Sequence, residues 1–229
     1  MKGIIQKDLY ELFGIRENLA NVLGSIIIVG ILLFVTRDTL GFALLNILEI
    51  PVFSFMTLYI TMESDEKSHF DTYQFVYPIS KRNIVLCKYI IGMVCQMCIS
   101  IMILCLIPIL VYGYKMIEWS VAMKIWGTGM IFSVLMLSIS YVIFFSFGSK
   151  VGIFLSALLD IVVMIGYVLV LTVFYDKIER TDSLLEWNVE RVVYLSSPMA
   201  FVVGGVAGVV GIVGSYMVSV RLYQRKLNN

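Results

Sequence analysis

Six apolar runs constrain this chain more than anything else in it: residues 19–35, 40–62, 84–112, 121–147, 151–175 and 199–220. A helix that crosses a bilayer needs about 20 apolar residues. In lipid it must also satisfy its backbone polar groups within the segment itself. Of the 229 residues, 60% are hydrophobic and 14% charged, against roughly one half and one quarter in soluble domains. That much apolar surface exceeds what a globular core hides. The expectation is an all-α polytopic membrane protein, with six transmembrane helices in one domain, 1–229. The runs use up most of the chain and leave no room for a soluble catalytic domain. A net charge of +1, with no dense basic patch, excludes nucleic acid as a partner.

Orientation follows from the 17 lysines and arginines, which concentrate on the cytoplasmic side of membrane proteins. Lys2, Lys7, Arg16, Lys67, Lys81, Arg82, Lys88, Lys150, Arg221, Arg225 and Lys226 fall on one side of the six-span layout. Arg37, Lys115, Lys124, Lys177, Arg180 and Arg191 fall on the other. The larger set places both termini in the cytoplasm, together with a charged island at 63–89.

That island is organised. Ser68 to Asp71 fits a capping box, so a helix is expected to begin at Ser68. Phe70, Tyr73 and Tyr77 then share one helical face, and Pro78 ends the helix after about two turns. Ser80 is placed to cap the next helix, which carries Lys81, Arg82 and Lys88 into the following span. Two readings stand side by side: a capped helix with an aromatic docking face, or a solvated loop whose aromatics rest on lipid.

Elsewhere the patterns are simpler. Residues 1–19 read as an amphipathic helix in the headgroup plane, with Ile4, Ile5, Leu9, Leu12 and Phe13 as its stripe and Lys2, Lys7, Asp8, Glu11 and Arg16 off it. An ordinary extension of the first span is the alternative. No cleavable signal peptide is expected. Gly148, Ser149 and Lys150 join two spans in a tight hairpin. Residues 176–198 form an external segment, whose capping box at Ser183–Glu186 starts a re-entrant or interfacial helix over 184–195. Trp187 and Tyr194 are its interface anchors. Gly204, Gly208 and Gly211, with Gly205 and Gly214, make a smooth ridge for helix packing.

Two acids fall inside apolar runs, Glu49 and Asp160. A charge at mid-bilayer costs at least ~2.5–3.5 kcal/mol, so such residues face protein or water. They form a polar path for a cationic or amphipathic substrate, or they are neutral or hydrogen-bonded and hold the bundle together. His69 is the only histidine, which excludes paired-histidine zinc motifs, and no phosphate-cradling glycine-rich loop occurs. Cys87, Cys95, Cys98 and Cys105 lie in one apolar stretch and read as small buried hydrophobes. No metal site is expected.

Met1-Lys2-Gly3 with Lys7-Asp8-Leu9, Asp65-Glu66-Lys67-Ser68, and Pro78-Ile79-Ser80-Lys81-Arg82 with Ile84-Val85 and Lys88-Tyr89 together carry a resemblance. The chain resembles the permease subunits of type-2 ABC exporters (the ABCG-like transmembrane domain). Within them it is similar to the compact six-span bacterial group that includes exporters of phenol-soluble modulins and antimicrobial peptides. It departs from that group at His69-Phe70 and Tyr77. The resemblance implies a permease of the bacterial cytoplasmic membrane with no ATPase site of its own. ATP and Mg would be bound by a partner ATP-binding subunit, and a second permease, identical or paralogous, would complete the unit. Segment 63–80 would be the coupling helix, docking through Asp65, Glu66, Lys67, Phe70, Tyr73, Tyr77, Pro78, Lys81 and Arg82. Residues 1–19 would be the connecting helix beside it. The implied function is export of an amphipathic peptide or lipid-like molecule. A membrane immunity or sensor protein that binds a peptide without pumping is the alternative. An intramembrane enzyme is disfavoured because Glu49, Asp160 and His69 are too sparse.

Overall fold

The computed structural model describes residues 2–16, 18–20, 23–24, 27, 31, 39–68, 70, 80–115, 118–176 and 198–226. Among them run α1 (Lys2–Phe13), α2 (Thr39–Lys67), α3 (Lys81–Pro108), α4 (Trp119–Phe147), α5 (Ser149–Asp176) and α6 (Pro198–Lys226). A π-helical turn, Ile109–Gly113, extends α3. It begins just after Pro108, which has no N–H to give to the ladder, and Tyr114 N donates across it to Ile109 O at 3.1 Å. Ser80 caps α3: its hydroxyl accepts from Asn83 N at 3.4 Å. Pro198 opens α6, where a missing N–H costs nothing.

The expected count of six spans is corrected here. Among the described residues, three stretches are long and apolar enough to cross a membrane: Lys81–Gly113, Trp119–Phe147 and Phe201–Arg225. The first expected span, 19–35, lies mostly outside the described residues. The second and fifth fall on α2 and α5, which are not among those three stretches. Helix α2 buries Asn46, Thr57, Thr61 and Asp65, and α5 Ser149, Ser156 and Asp160. An apolar run in the sequence does not by itself make a helix that crosses, and counting runs inflated the number.

The second apolar run ends at Met62, but its helix, α2, continues without a break to Lys67 and takes in the first residues of the charged island. The Ser68 N–H closes the last turn of α2 on Ser64 O at 2.9 Å, and its hydroxyl donates to Asp65 O at 3.3 Å. Of the helix expected to follow it, Phe70 is described and helical, and the rest lies outside the described residues. Tyr73, Tyr77 and Pro78 lie outside the described residues, as does the external helix expected over 184–195.

Helix α4 lies at the middle of the bundle, in contact with α2, α3, α5 and α6. Its seam with α6 is close because small residues permit it. A Cβ added at Gly204 would meet Ile131 at 2.9 Å, at Gly208 Val134 at 3.1 Å, and at Gly211 Leu135 at 3.5 Å. Gly205 and Gly214 face open space. Between α3, α4 and α6 runs a polar seam. Tyr89 Oη lies 3.1 Å from Ser215 Oγ and 3.0 Å from Ser219 Oγ, and its ring stacks on Tyr141 at 3.8 Å. The Tyr141 hydroxyl donates to Lys88 O at 2.6 Å, an approach that only glycine at position 92 allows.

Helix α1 packs on α2 and α3. Ile4 and Leu12 of the expected stripe are buried, but Leu9 and Phe13 are exposed, and Asp8 and Glu11 point inward in their place. Burying two carboxylates requires partners, and these supply the site described next.

Candidate functional site

The buried ends of α1, α2 and α3 meet around five charged side chains. Lys88 enters from α3 and is 4% exposed. Its ammonium donates to Asp8 Oδ1 at 3.0 Å and Thr61 O at 3.1 Å, and pairs with Asp65 Oδ2 at 2.6 Å. An ammonium has three donors, and all three are used. Lys7 approaches from α1, contacting Asp65 Oδ1 directly and lying 3.1 Å from Glu11 Oε1 and 3.8 Å from Asp8 Oδ1. Its Nζ also sits 4.2 Å from the centre of the Phe70 ring, within range of a cation–π contact.

Asp65 therefore joins α1 to α3 through two lysines. Glu66, the next residue, reaches another part of the fold. Its Oε1 accepts from Ser149 N at 2.8 Å and its Oε2 from Ser149 Oγ at 2.5 Å. Ser149 begins α5, whose first N–H groups have no helical acceptor. Glu66 fills that role from another helix, and its charge suits a helix N-terminus. Gly148, the single residue joining α4 to α5, has φ +82° and lies beneath Glu66 Oε1, 3.0 Å from where a Cβ would sit. Glycine meets both demands. Two consecutive acids thus fasten the C-terminal end of α2 to three other helices, α1, α3 and α5.

Electrostatics follow from burial. Burial pushes the Asp8 carboxyl above its ordinary value and Asp65 adds to this, while Lys88 and Lys7 oppose it. For Lys7, burial acts downward, but Asp65, Glu11 and Asp8 together outweigh it and raise the ammonium's value. One carboxylate oxygen each from Asp8, Glu11 and Asp65 lie within 4.8 Å of one another, the spacing of a small cation site. The Lys7 ammonium already stands among these carboxylates, which serves the purpose of a metal ion.

The remaining residues singled out by the sequence fall around this junction or away from it. Lys67 makes only a surface pair with Glu63 at 3.1 Å, an interaction worth little. Lys81 and Arg82 open α3, and Arg82 O accepts from the Tyr216 hydroxyl at 3.5 Å. Glu49 lies on α2, with its side chain outside what is described. Asp160 is buried on α5, one turn after buried Ser156, and its Oδ2 has no partner among the described residues. Nothing brings Asp160 to the five-residue cluster. Lys7, Asp8, Glu11, Lys88 and Ser149 were missed as site residues. The available signal was Lys88, a charge four residues inside an apolar run, which calls for a buried partner.

Residues 3–224 match the model of a family described as ABC-2 family transporter protein. No curated protein and no solved structure matches the chain.

Proposed function

Because the chain belongs to the ABC-2 family of transporter proteins, we propose that it is the membrane permease subunit of a bacterial ABC exporter. It works with a separate ATP-binding subunit, which holds ATP and Mg, and with a second permease. Its substrate is an amphipathic peptide of the modulin or antimicrobial type, or a lipid-like molecule. Both termini and segment 63–80 face the cytoplasm in this reading.

The observation that carries the proposal is the way α2 ends. Asp65 bonds to Lys7 and Lys88, and Glu66 to Ser149. A push delivered just beyond Lys67 is therefore passed to α1, α3 and the α4–α5 turn together. Packed helices respond to such a push by changing between discrete arrangements. A nucleotide-driven partner docked on 63–80 would supply the push and shift the bundle between inward-open and outward-open states. Asp160 and Glu49 would serve a polar substrate path.

The test is co-purification with the ATP-binding protein encoded nearest to this chain, followed by an assay of ATP hydrolysis. A stable, hydrolysing complex that is lost in Phe70→Ala with Tyr73→Ala, while membrane insertion stays normal, is the expected result. Failure of any ATPase to bind would favour a membrane protein that binds peptides without pumping.

A further inference from the structure

The five-residue junction carries an imbalance of charge. Asp8, Glu11 and Asp65 contribute three carboxylates, and Lys7 and Lys88 two ammoniums. The partners are distributed unevenly. Asp65 uses both oxygens, whereas Asp8 and Glu11 each use only Oδ1 or Oε1. Asp8 Oδ2 and Glu11 Oε2 have no partner among the described residues, on side chains whose residues are 0% and 6% exposed. An uncompensated buried charge is costly enough that such a group takes up a proton instead. A protonated carboxyl also gains an O–H that can donate where nothing now does.

We propose that this junction is a proton-binding site: Asp8, set beside the Glu11 and Asp65 carboxylates with its Oδ2 unpartnered among the described residues, holds one proton, and losing it loosens α1 from α2 and α3. With the proton bound the cluster is neutral. Without it, the cluster carries one further negative charge beside an Asp8 side chain that is 0% exposed. Among the described residues, the charged groups facing Asp8 are Lys7 and Glu11 on α1, Asp65 on α2 and Lys88 on α3. Cys87 on α3 and Tyr141 on α4 are further titratable groups that feel Asp8. The two ammoniums are already committed, so neither can neutralise the last charge.

The direction of the pH effect follows from the carboxyl value raised by burial. A group that binds its proton more tightly folded than unfolded stabilises the fold at low pH. That contribution is lost as pH rises through the folded-state value. Rising pH should therefore loosen α1 before the rest of the bundle opens.

The experiment uses the purified full chain in lipid nanodiscs and needs no ATP-binding partner, so its outcome is separate from that of the transport reading. Infrared difference spectra would be recorded over about pH 5 to about pH 9, in an Asp160→Asn background that removes the other buried acid. Thermal unfolding would be followed over the same range. A protonated-carboxyl band that fades as pH rises, disappears in Asp8→Asn and shifts in Glu11→Gln is expected. So is an unfolding temperature that falls with rising pH in the wild type but is flat in Asp8→Asn. If Asp8→Asn does not fold, Glu11→Gln still tests the site, because it removes a carboxylate that lies within 4.8 Å of Asp8 and should move the band to lower pH. A spectrum with no band sensitive to either substitution overturns the proposal. So does a stability that follows sodium concentration instead of pH.

Discussion

Lys88 Nζ lies 3.0 Å from Asp8 Oδ1, joining the first helix to the start of a membrane span eighty positions later. Asp65 closes the other side of the same ammonium at 2.6 Å. Replacing Lys88 by Met should be among the most damaging single changes in the chain. Removing one partner of a buried pair leaves the other charge uncompensated, at a cost of about 3–5 kcal/mol. Lys7→Met should cost clearly less, since the Lys7 side chain is 27% exposed. Unfolding in graded denaturing detergent measures both, and equal losses would contradict the assignment of Lys88 as the buried centre.

The Glu66–Ser149 contact leads to a local prediction. Glu66→Ala removes both acceptors from the start of α5 and should destabilise by about 0.5–2 kcal/mol, the range for a lost N-cap. Hydrogen exchange should rise at the first amides of α5 and stay unchanged in α6. Uniform loosening of the whole bundle would show that the contact is not a local cap.

Gly148→Ala tests the same turn from its backbone. The position has φ +82° and sits beneath the Glu66 carboxylate, and a left-handed conformation costs a non-glycine residue roughly 1–2 kcal/mol. Ser149→Ala in the same assay should cost less, because the Ser149 N–H still reaches Glu66. A neutral Gly148→Ala would mean the α4–α5 turn has another conformation.

The two faces of α6 should respond oppositely to bulk. Gly204→Leu and Gly208→Leu drive a side chain into Ile131 and Val134, and overpacking of this kind costs about 1–3 kcal/mol. Gly205→Leu projects into open space and should leave unfolding unchanged. Destabilisation of the same size at Gly205 would place that face, too, against a neighbour.

How much of this was legible in the sequence depends on the residue. The three membrane-crossing stretches, the Ser80 cap and the 148–150 turn are short-range features, set by composition and capping chemistry, and they could be read directly. The six-span count could not, because an apolar run in the sequence does not by itself make a helix long and apolar enough to cross, as α2 and α5 show. The extent of α2 was not legible either: the apolar run ends at Met62, yet the helix carries through Glu63–Lys67. The cluster itself joins residues 58 and 80 positions apart. Asp8 and Glu11 resembled a solvated face because their partners come from other helices, and no local pattern records that.

The central claim is that segment 63–80 is where an ATP-binding partner engages this permease. The most direct test places a crosslinkable thiol there, as Tyr73→Cys in a chain whose native cysteines Cys87, Cys95, Cys98 and Cys105 are replaced by Ala. This variant would be compared with Leu9→Cys on the exposed side of α1. A short-range crosslink from position 73 to the ATP-binding subunit, changing in yield when nucleotide is added, is the predicted result. An intact complex that crosslinks from position 9 but never from position 73 would contradict it.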